Sequence, residues 1–402
     1  MKSTGIVRGI DSLGRIVLPK ELRTTLHLDG DTKLEIFVDG DSIVLKKHRP
    51  AGSCDFCGEV DEASVQFAGY CICPACRRKI GALYTRTKRR PAPMSRMTDF
   101  TVPSTVPGRT LHAFCCEPEG EVRAVLQLSH GMVEFIDRYK PLAEYLAGQG
   151  IVVVGHDHLG HGGSIRTKAD YGYFAEPDGN RAVLDDLHAM TLRTKERYPG
   201  VPYFLLGHSM GSFYARQYLC EYGQELSGAI IMGTGHQPKA LVQFARSTCR
   251  ALAAVHGWQY RSKLVANLSF MGYNKGLEGR TTHDWLNRDA AEVDKYLADE
   301  RCTFTFTLNA YYSMFSGILR LHDPAFLARM PKDLPLLFLA GTADPVGDRG
   351  KGVLRAIQSL KAAGVQNIRC KLYPGARHEL LVETNRQEVF ADIAAWLNDQ
   401  LG

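Results

Sequence analysis

The sequence predicts an α/β fold for its longer C-terminal part, preceded by two smaller segments of different composition. From Asp99 onward, apolar runs of strand length alternate with segments of helical periodicity, which is typical of a parallel sheet flanked by helices. At 402 residues, the chain exceeds what one hydrophobic core usually serves, so more than one domain is expected.

The formal charge of +6 is distributed unevenly along the chain. Residues 1–98 carry 17 Lys and Arg against 11 Asp and Glu, whereas residues 99–402 carry 32 of each. A basic excess confined to one end favours a polyanionic partner for that end, most often nucleic acid. A solvated basic linker would have the same composition.

The sequence near Met1 lacks the apolar run of a secretory signal, and no window holds 18 consecutive apolar residues. The 11 cysteines are an odd number, and five of them cluster between Cys54 and Cys76. This pattern favours a reducing compartment and one metal site over a disulfide framework. We therefore expect a cytoplasmic protein without a transmembrane segment.

Residues 1–50 are predicted to form short strands around one helix. The helix begins at Pro19, since proline is tolerated in the first turn, and continues to Leu26. Two alternating runs flank Asp39-Gly40-Asp41, which is a strong hairpin signal. So small a block buries little surface alone, so oligomerisation or a neighbouring block must stabilise it.

Two runs in this block, Lys2-Ser3-Thr4-Gly5-Ile6-Val7-Arg8 and Leu13-Gly14-Arg15-Ile16-Val17-Leu18-Pro19, resemble the AbrB-type transition-state regulators. The resemblance covers nearly all of residues 1–48, and that family consists of swapped-hairpin dimers that bind DNA through arginines. It implies a homo-oligomer that contacts DNA through Arg8, Arg15 and Arg23. Thr24 stands where the family often carries a further arginine. Phosphate contacts by arginine supply sequence-independent affinity for DNA.

Residues 51–80 contain two Cys-x-x-Cys pairs, Cys54 with Cys57 and Cys73 with Cys76. Two such pairs are typical of a zinc ribbon, in which four thiolates hold a tetrahedral ion. Cys71 is a further thiol within reach, but its spacing is not that of a ligand pair. We expect a structural zinc that supplies folding free energy to a very small segment. The alternative is a redox pair.

Residues 81–98 are predicted to form a basic linker. This segment contains no acidic residue, and Pro91-Ala92-Pro93 prevents a helix. The remaining motifs lie in residues 99–402.

Gly207-His208-Ser209-Met210-Gly211 follows an apolar run and precedes a helical pattern. This is the context of a nucleophile elbow, where a strained turn exposes the serine hydroxyl above a sheet. The glycines are needed because side chains there would collide with the neighbouring strand and helix. Ser209 is therefore the predicted nucleophile.

The acid and the base are expected after the serine, in that order. Asp344 follows an apolar run, and Asp348 shortly after it is the alternative acid. His378 lies in the loop after the next run and is the predicted base. It would take the proton of Ser209 and later protonate the leaving alcohol, while Asp344 holds the imidazole tautomer.

Acyl transfer also needs donors aimed at the developing oxyanion, each worth roughly 3–4 kcal/mol. The backbone N–H of Met210 is one candidate. The N–H of Met132, in the loop Ser129-His130-Gly131-Met132, is the other. His130 is expected to shape this loop rather than to carry a proton. Such catalysis needs no cofactor.

These motifs, with His130-Gly131-Met132-Val133-Glu134, Arg138-Tyr139 and Asp157-His158-Leu159-Gly160-His161-Gly162, resemble the monoacylglycerol lipase and lysophospholipase group. The resemblance covers nearly all of residues 99–402. It implies an α/β-hydrolase fold and a serine carboxylic-ester hydrolase acting on monoacyl lipid esters. Phe135 stands where the group often has a histidine.

Residues from about 235 to 325 interrupt the strand pattern with helices and many aromatics. An insertion at this point is typical of a cap over the serine. An apolar cap suits an acyl chain, since burying each methylene contributes roughly 0.8 kcal/mol. Half or more of these aromatics are expected to serve ordinary packing.

The predicted chain is thus an α/β-hydrolase fold with a helical cap, preceded by a small swapped-hairpin, β-rich domain and a zinc ribbon. The predicted function is ester hydrolysis fused to a DNA-binding regulator. The alternative is a DNA-binding transcription regulator whose hydrolase-like domain senses a lipid or acyl ester. All the catalytic parts are present, which favours hydrolysis.

Overall fold

The computed structural model describes residues 6–26, 28–48, 52–57, 59–67, 70–79 and 95–402. The chain divides into two compact units, Met1–Pro91 and Ala92–Gly402. The predictions for Lys2 to Gly5, and for most of the linker, fall outside the described residues.

Two helical segments and two antiparallel hairpins lie in the described part of the first unit. They include α1 (Lys20–Thr25), β1 (Leu34–Asp39), β2 (Ser42–Lys47), β3 (Val65–Phe67) and β4 (Tyr70–Ile72). The hairpin turn between β1 and β2 falls where it was predicted, with Gly40 at a φ of 62°. Residues 74–79 form the other helical segment.

Residues 6–18, which include an alternating run, form no strand in the single chain. They turn back at Asp11, whose amide donates to the carbonyl of Arg15 at 3.0 Å, and Gly14 takes a φ of 76°. A strand needs a neighbour for its backbone groups. In the swapped-hairpin arrangement expected from the sequence, that neighbour is a second copy.

The second unit is built on an eight-stranded sheet. Its strands are β5 (Ser95–Pro103), β6 (Thr110–Pro118), β7 (Ala124–Ser129), β8 (Ile151–His156), β9 (Tyr203–His208), β10 (Gly228–Met232), β11 (Leu336–Gly341) and β12 (Ile368–Tyr373). They lie in the order β12-β11-β10-β9-β7-β8-β6-β5. The strands from β7 to β12 are parallel, and β6 pairs antiparallel with both β5 and β8.

Strand β5 begins at Ser95, inside the segment 81–98 predicted as a linker. It pairs with β6 along its whole length, from Ser95 opposite Pro118 to Pro103 opposite Thr110. An apolar run marks only strands that are buried on both faces, whereas an edge strand alternates. The sequence of β5 contains no apolar run and was therefore not predicted as a strand.

Helices cover both faces of the sheet. They are α2 (Lys140–Ala147), α3 (Gly179–Arg197), α4 (Met210–Tyr222), α5 (Lys239–His256), α6 (Lys263–Ser269), α7 (Ala290–Ala298), α8 (Leu308–Arg320), α9 (Pro324–Leu327), α10 (Lys351–Ala362) and α11 (Arg386–Leu401). Val152 and Val154 belong to one apolar cluster, and Ile151 and Val153 belong to the other. This alternation is expected of strands buried on both faces.

Helices α5 to α9 occupy the whole insertion between β10 and β11, where the sequence predicted a cap. Across the described residues, no helix is long and apolar enough to cross a membrane.

Candidate active site and cysteine cluster

Ser209 occupies the sharp turn between β9 and α4. Its φ of 52° and ψ of −119° are values that residues other than glycine avoid, so the surroundings must hold it there. A Cβ on Gly207 would lie 2.4 Å from the carbonyl oxygen of Gly211, and one on Gly211 would lie 2.0 Å from that of Ser129. Only glycine fits at both positions, and the turn leaves Ser209 partly exposed.

His378 and Asp344 meet beyond the ends of β12 and β11. Nδ1 of His378 lies 3.0 Å from Oδ2 of Asp344, which is completely buried. The other oxygen of Asp344 accepts a hydrogen bond from the amide of Val346 at 2.9 Å. Asp348, the alternative acid, pairs instead with Arg355 at 2.9 Å on the surface. Nε2 of the imidazole therefore remains for the serine proton.

Among the described residues, the structure records no hydrogen bond between Ser209 and the ring of His378. Bonds of this kind often tighten only when substrate binds. The ring lies 5.2 Å from that of Trp285 and 4.9 Å from that of His208, measured between centroids. Packing on two sides limits its rotation.

The loop after β7 lies against Ser209, because a Cβ on Gly131 would be 3.1 Å from that of Ser209. The amide of Met210 opens α4, and helices leave their first N–H groups without an intrahelical partner. Within the described part of the chain, the amide of Met132 likewise has no protein acceptor. Both amides can therefore donate to a developing oxyanion.

His130 is fully buried and bonded at both ring nitrogens. Its Nε2 accepts a hydrogen bond from the amide of His158 at 2.9 Å, and its Nδ1 lies 2.8 Å from the carbonyl oxygen of Gly131. This is the geometry of a residue that shapes the loop rather than one that carries a proton.

A buried carboxylate links this loop to the loop of His378. Oε1 of Glu134 accepts a hydrogen bond from the amide of Gly131 at 2.5 Å and lies 2.9 Å from Nδ1 of His208. Nε2 of His208 in turn lies 3.2 Å from the carbonyl oxygen of His378. Glu134 therefore holds both loops beside Ser209.

Arg138 completes the network by donating to Glu134 at 3.0 Å and to Glu379 at 2.5 and 2.8 Å. Burial alone would raise the pKa of Glu134, but His208 and Arg138 outweigh it and hold that pKa well below its ordinary range. Burial would lower the pKa of His208, and Glu134 raises it on balance. Glu134 and Arg138 belong to motifs that are recognisable in the sequence, but the sequence alone indicates no role for them.

We expect Glu134→Gln to lower the free energy of unfolding by about 3 kcal/mol, because it removes the buried counter-charge of His208. Urea unfolding followed by tryptophan fluorescence measures this loss. All three tryptophans of the chain, Trp258, Trp285 and Trp396, lie in the second unit, so the signal reports on that unit.

Glu300→Gln is the matched control. Glu300 pairs with Lys168, and both side chains are largely exposed, so the same substitution should change stability very little. An equal loss in the two variants would contradict the role given to Glu134.

Side chains of the cap pack beside the ring of His378. Trp285 packs against Tyr273, with ring centroids 4.9 Å apart. Phe135 is buried with Trp285 in one apolar cluster, and the guanidinium of Arg301 lies 3.7 Å from its ring centroid. Phe135 thus contributes an aromatic ring to the packing of cap residues.

The four predicted metal ligands come together in the first unit. The Sγ atoms of Cys54, Cys57, Cys73 and Cys76 all lie within 4.8 Å of one another. Four sulfurs bound tetrahedrally to zinc are about 3.8 Å apart, so this donor set fits such an ion. Cys71 stands outside the group, with its thiol 3.4 Å from the carbonyl oxygen of Gly52.

The three arginines predicted to contact DNA are exposed. Arg15 pairs with Asp11 at 2.9 Å, and Nε of Arg23 donates to the carbonyl of Leu18 at 3.2 Å. Arg8 donates to the carbonyl of the preceding Val7.

Residues 120–385 match the family model described as serine aminopeptidase, S33. The chain belongs to that family. Mouse monoglyceride lipase is 32% identical over 302 residues, which cover 72% of this chain and 88% of that protein. With these relatives, the chain is a serine carboxylic-ester hydrolase, as the sequence analysis predicted.

Among solved structures, a thermostable carboxyl esterase from Bacillus coagulans in complex with glycerol is similar, with a TM-score of 0.71 and 26% identity. The match covers 76% of this chain and 99% of the esterase. The predicted α/β-hydrolase fold is therefore confirmed.

The first unit has relatives of another kind. Residues 7–53 match the family model described as antidote-toxin recognition MazE, bacterial antitoxin. The transition state regulatory protein AbrB of Bacillus subtilis (strain 168) is 51% identical over 69 residues, which are 17% of this chain and 72% of that protein. An AbrB-like domain thus precedes the hydrolase in one chain, as predicted.

Proposed function

We propose that this chain hydrolyses monoacyl lipid esters, such as monoacylglycerols and lysophospholipids, through an acyl-enzyme on Ser209. The pairing of His378 with Asp344 at 3.0 Å, beyond the strained turn of Ser209, is the observation that carries this proposal.

In the first half-reaction, Oγ of Ser209 attacks the ester carbonyl carbon while Nε2 of His378 takes its proton. The amides of Met132 and Met210 stabilise the negative charge that develops on the carbonyl oxygen. The tetrahedral intermediate then expels the alcohol, which leaves with the proton from His378. In the second half-reaction, His378 takes a proton from a water that attacks the acyl carbon, and it returns the proton to Oγ of Ser209 as the bond to the serine breaks and the fatty acid leaves. Asp344 holds the ring and stabilises its charge throughout.

The substrate class is supported by the relatives and by the cap. The mouse relative is a monoglyceride lipase, and apolar cap side chains such as Trp285 lie beside His378. Initial rates on esters of one fatty acid test the proposal, with monoacylglycerol, lysophospholipid, diacylglycerol and triacylglycerol compared. We expect the two monoacyl esters to be cleaved at least about tenfold faster, a difference of about 1.4 kcal/mol in barrier. A preference for triacylglycerol would contradict it.

A second function is favoured by the AbrB-like unit: the hydrolase domain would sense an acyl ester and change DNA binding. Gel-shift of the full chain, with and without monoacylglycerol, separates the two. A lipid-dependent shift that persists in Ser209→Ala would favour sensing. DNA binding that ignores the lipid would exclude it.

We also propose that the first unit pairs with a second copy. Many of its large apolar side chains are exposed in the single chain: Val7, Ile10, Leu13, Ile16, Val17, Phe37, Val38 and Ile43. An apolar surface of this extent is typical of an interface. Light scattering should therefore give a mass that is a multiple of the 44.6 kDa chain. A monomeric mass at micromolar concentration would contradict the pairing.

Replacing Arg8, Arg15 and Arg23 together by glutamine should weaken binding of a mixed-sequence DNA duplex. If each contacts a phosphate, the slope of log affinity against log salt falls by about 0.9 per arginine. Titration by fluorescence anisotropy over a range of salt measures both quantities. Arg193→Gln, an exposed cation on α3, is the control and should change neither.

We propose that Cys54, Cys57, Cys73 and Cys76 hold one structural zinc ion. Purified protein should contain one zinc per chain, and Cys57→Ser should lower that content because three thiolates no longer close the site. Cys71→Ser is the control and should keep the metal. Chelation should leave ester hydrolysis unchanged, since Ser209 needs no cofactor. Equal zinc loss in both variants would contradict the ligand set.

A further inference from the structure

We propose that a phosphate group binds beside Arg216, between α4 and the start of the cap. The groups that hold it are the guanidinium of Arg216 and the ring of His236. Arg216 lies on α4, and His236 lies four residues after β10, where the chain enters the cap. The proposal goes beyond ester hydrolysis and does not depend on it.

The guanidinium of Arg216 is buried without a counter-charge. Arg216 is 1% exposed, and among the described residues no carboxylate pairs with it. Burial lowers its pKa to about 10, so the side chain still carries its charge near neutral pH. The thiol of Cys220 lies nearby, but burial raises its pKa to about 12, so it supplies no negative charge. A buried charge costs free energy unless an opposite charge accompanies it. Arg216 therefore favours an anionic ligand.

One edge of this guanidinium is free to bind such a ligand. Nη1 donates to the carbonyl of Gly235 at 3.0 Å and lies 3.5 Å from Oγ1 of Thr234. Nε and Nη2 are also buried, but within the described part of the chain they have no hydrogen-bond partner. These two nitrogens carry the parallel N–H groups that bind two oxygens of one oxyanion. The edge of Arg216 that recognises oxyanions is thus the edge that no protein group uses.

A half-buried histidine supplies a further donor. The ring of His236 packs on that of His322, with centroids 4.5 Å apart. Burial lowers the pKa of His236 to about 4, and the charge of Arg216 acts in the same direction. The ring is therefore neutral near pH 7 and keeps one N–H. No hydrogen bond of this ring is recorded among the described residues, so the N–H can serve the same ligand as Arg216.

These donors suit a phosphate better than a carboxylate. The free edge of Arg216 takes up two oxygens, which are all that a carboxylate has. A phosphate keeps a further oxygen that can accept from His236. Phosphate also carries more negative charge than a carboxylate near neutral pH, and this charge offsets the cost of burying Arg216.

The site borders the loop that carries the predicted base. A Cβ on Gly233 would lie 3.1 Å from Cε1 of His378, and Arg216 contacts Gly235 only two residues later. The phosphate of an ester headgroup is therefore one source of the ligand. Free phosphate ion is the other, and the experiment distinguishes the two.

Thermal unfolding of the full-length protein in inorganic phosphate tests the proposal. Tryptophan fluorescence follows the second unit, which contains all three tryptophans. Each titration is repeated with glycerol 3-phosphate and with acetate, and chloride keeps the ionic strength constant. The site variants are Arg216→Met and His236→Asn. Their matched controls are Arg193→Met and His256→Asn, which lie at exposed positions.

We expect about 10 mM phosphate, acting with a Kd of about 1 mM, to raise the melting temperature of wild type and controls by about 3 °C. Arg216→Met should bind phosphate at least about tenfold more weakly, because it keeps the side-chain length but removes the charge and the donors. His236→Asn should bind it about threefold more weakly, since one hydrogen bond is lost. A larger shift with glycerol 3-phosphate than with phosphate would identify an ester headgroup as the source. An equal or smaller shift would identify the free ion.

A wild-type melting temperature that phosphate leaves unchanged relative to chloride would overturn the proposal. So would equal phosphate shifts in wild type and Arg216→Met, or a shift with acetate as large as that with phosphate. If Arg216→Met does not fold, His236→Asn is compared with His256→Asn, and equal phosphate shifts in these two variants would overturn the proposal.

Discussion

Ser209→Ala is expected to lower kcat for ester hydrolysis by at least about 10⁴-fold, because no acyl-enzyme can then form. The oxyanion donors and the cap remain in this variant, so KM should change little. Initial rates on a monoacylglycerol above and below KM measure both quantities. The tryptophan fluorescence of the second unit checks that the variant is folded.

A matched pair of aspartate substitutions tests which residue is the acid partner of His378. Asp344→Asn should lower kcat by about 10⁴-fold, since the amide would favour the wrong tautomer of His378. Asp348→Asn, the same substitution four residues later, should leave kcat near the wild-type value because its partner is Arg355. Equal losses in the two variants would contradict the assignment of Asp344.

The second large effect expected is acid instability of the hydrolase unit. Burial lowers the pKa of His156 and His161 to about 3 and that of His158 well below its ordinary value of 6.5. Above that ordinary value, these rings are neutral in both the folded and the unfolded state and contribute nothing. Below it, the unfolded chain takes up protons that the folded chain does not, so stability falls as the pH falls.

Each ring lowers the free energy of unfolding by about 1.4 kcal/mol per pH unit. At about pH 5 the three together remove about 6 kcal/mol, against a total stability of about 5–15 kcal/mol for a typical domain. His112 and His208 act in the opposite direction, since the pKa of each is raised on balance by a partner carboxylate. Two such rings reduce the loss without cancelling it.

Thermal unfolding followed by tryptophan fluorescence between about pH 7.5 and about pH 5 measures this effect. Within the described residues, neither ring nitrogen of His156 has a hydrogen-bond partner, so His156→Leu removes a titrating group without breaking a recorded bond. It should reduce the fall in melting temperature over this range. His256→Asn, at an exposed position, should not change it. A melting temperature that is constant over this range in the wild type would contradict the prediction.

The strained turn at Ser209 was predictable because its requirements are local. A strand, a tight turn and a helix follow one another within a few residues, and two glycines mark the close approaches. The cysteine cluster was predictable for a similar reason, since each pair of ligands lies within one turn.

Which aspartate pairs with His378 could not be decided from the nearby sequence. Both Asp344 and Asp348 follow the same strand, and the sequence left both open. The structure separates them through the amide of Val346, which orients one carboxylate, and through Arg355, which holds the other on the surface.

The buried hydrogen bonds around Glu134 and Arg138 could not be predicted from the sequence for the same reason. Arg138 and Glu379 are 241 residues apart, and only the sheet order brings them together. The edge strand β5 was missed because its half-exposed sequence has no apolar run. The segment from 6 to 18 has a strand pattern but no strand in the single chain, because a second copy is expected to supply its partner.

The most direct measurement is active-site labelling of the full chain with a fluorophosphonate, which reacts with an activated serine. Peptide mass mapping then locates the adduct. We expect one adduct per chain, on the peptide that contains Ser209, with labelling lost in Ser209→Ala. Equal labelling of wild type and Ser209→Ala, or an adduct on another residue, would contradict the assignment of Ser209 as the nucleophile.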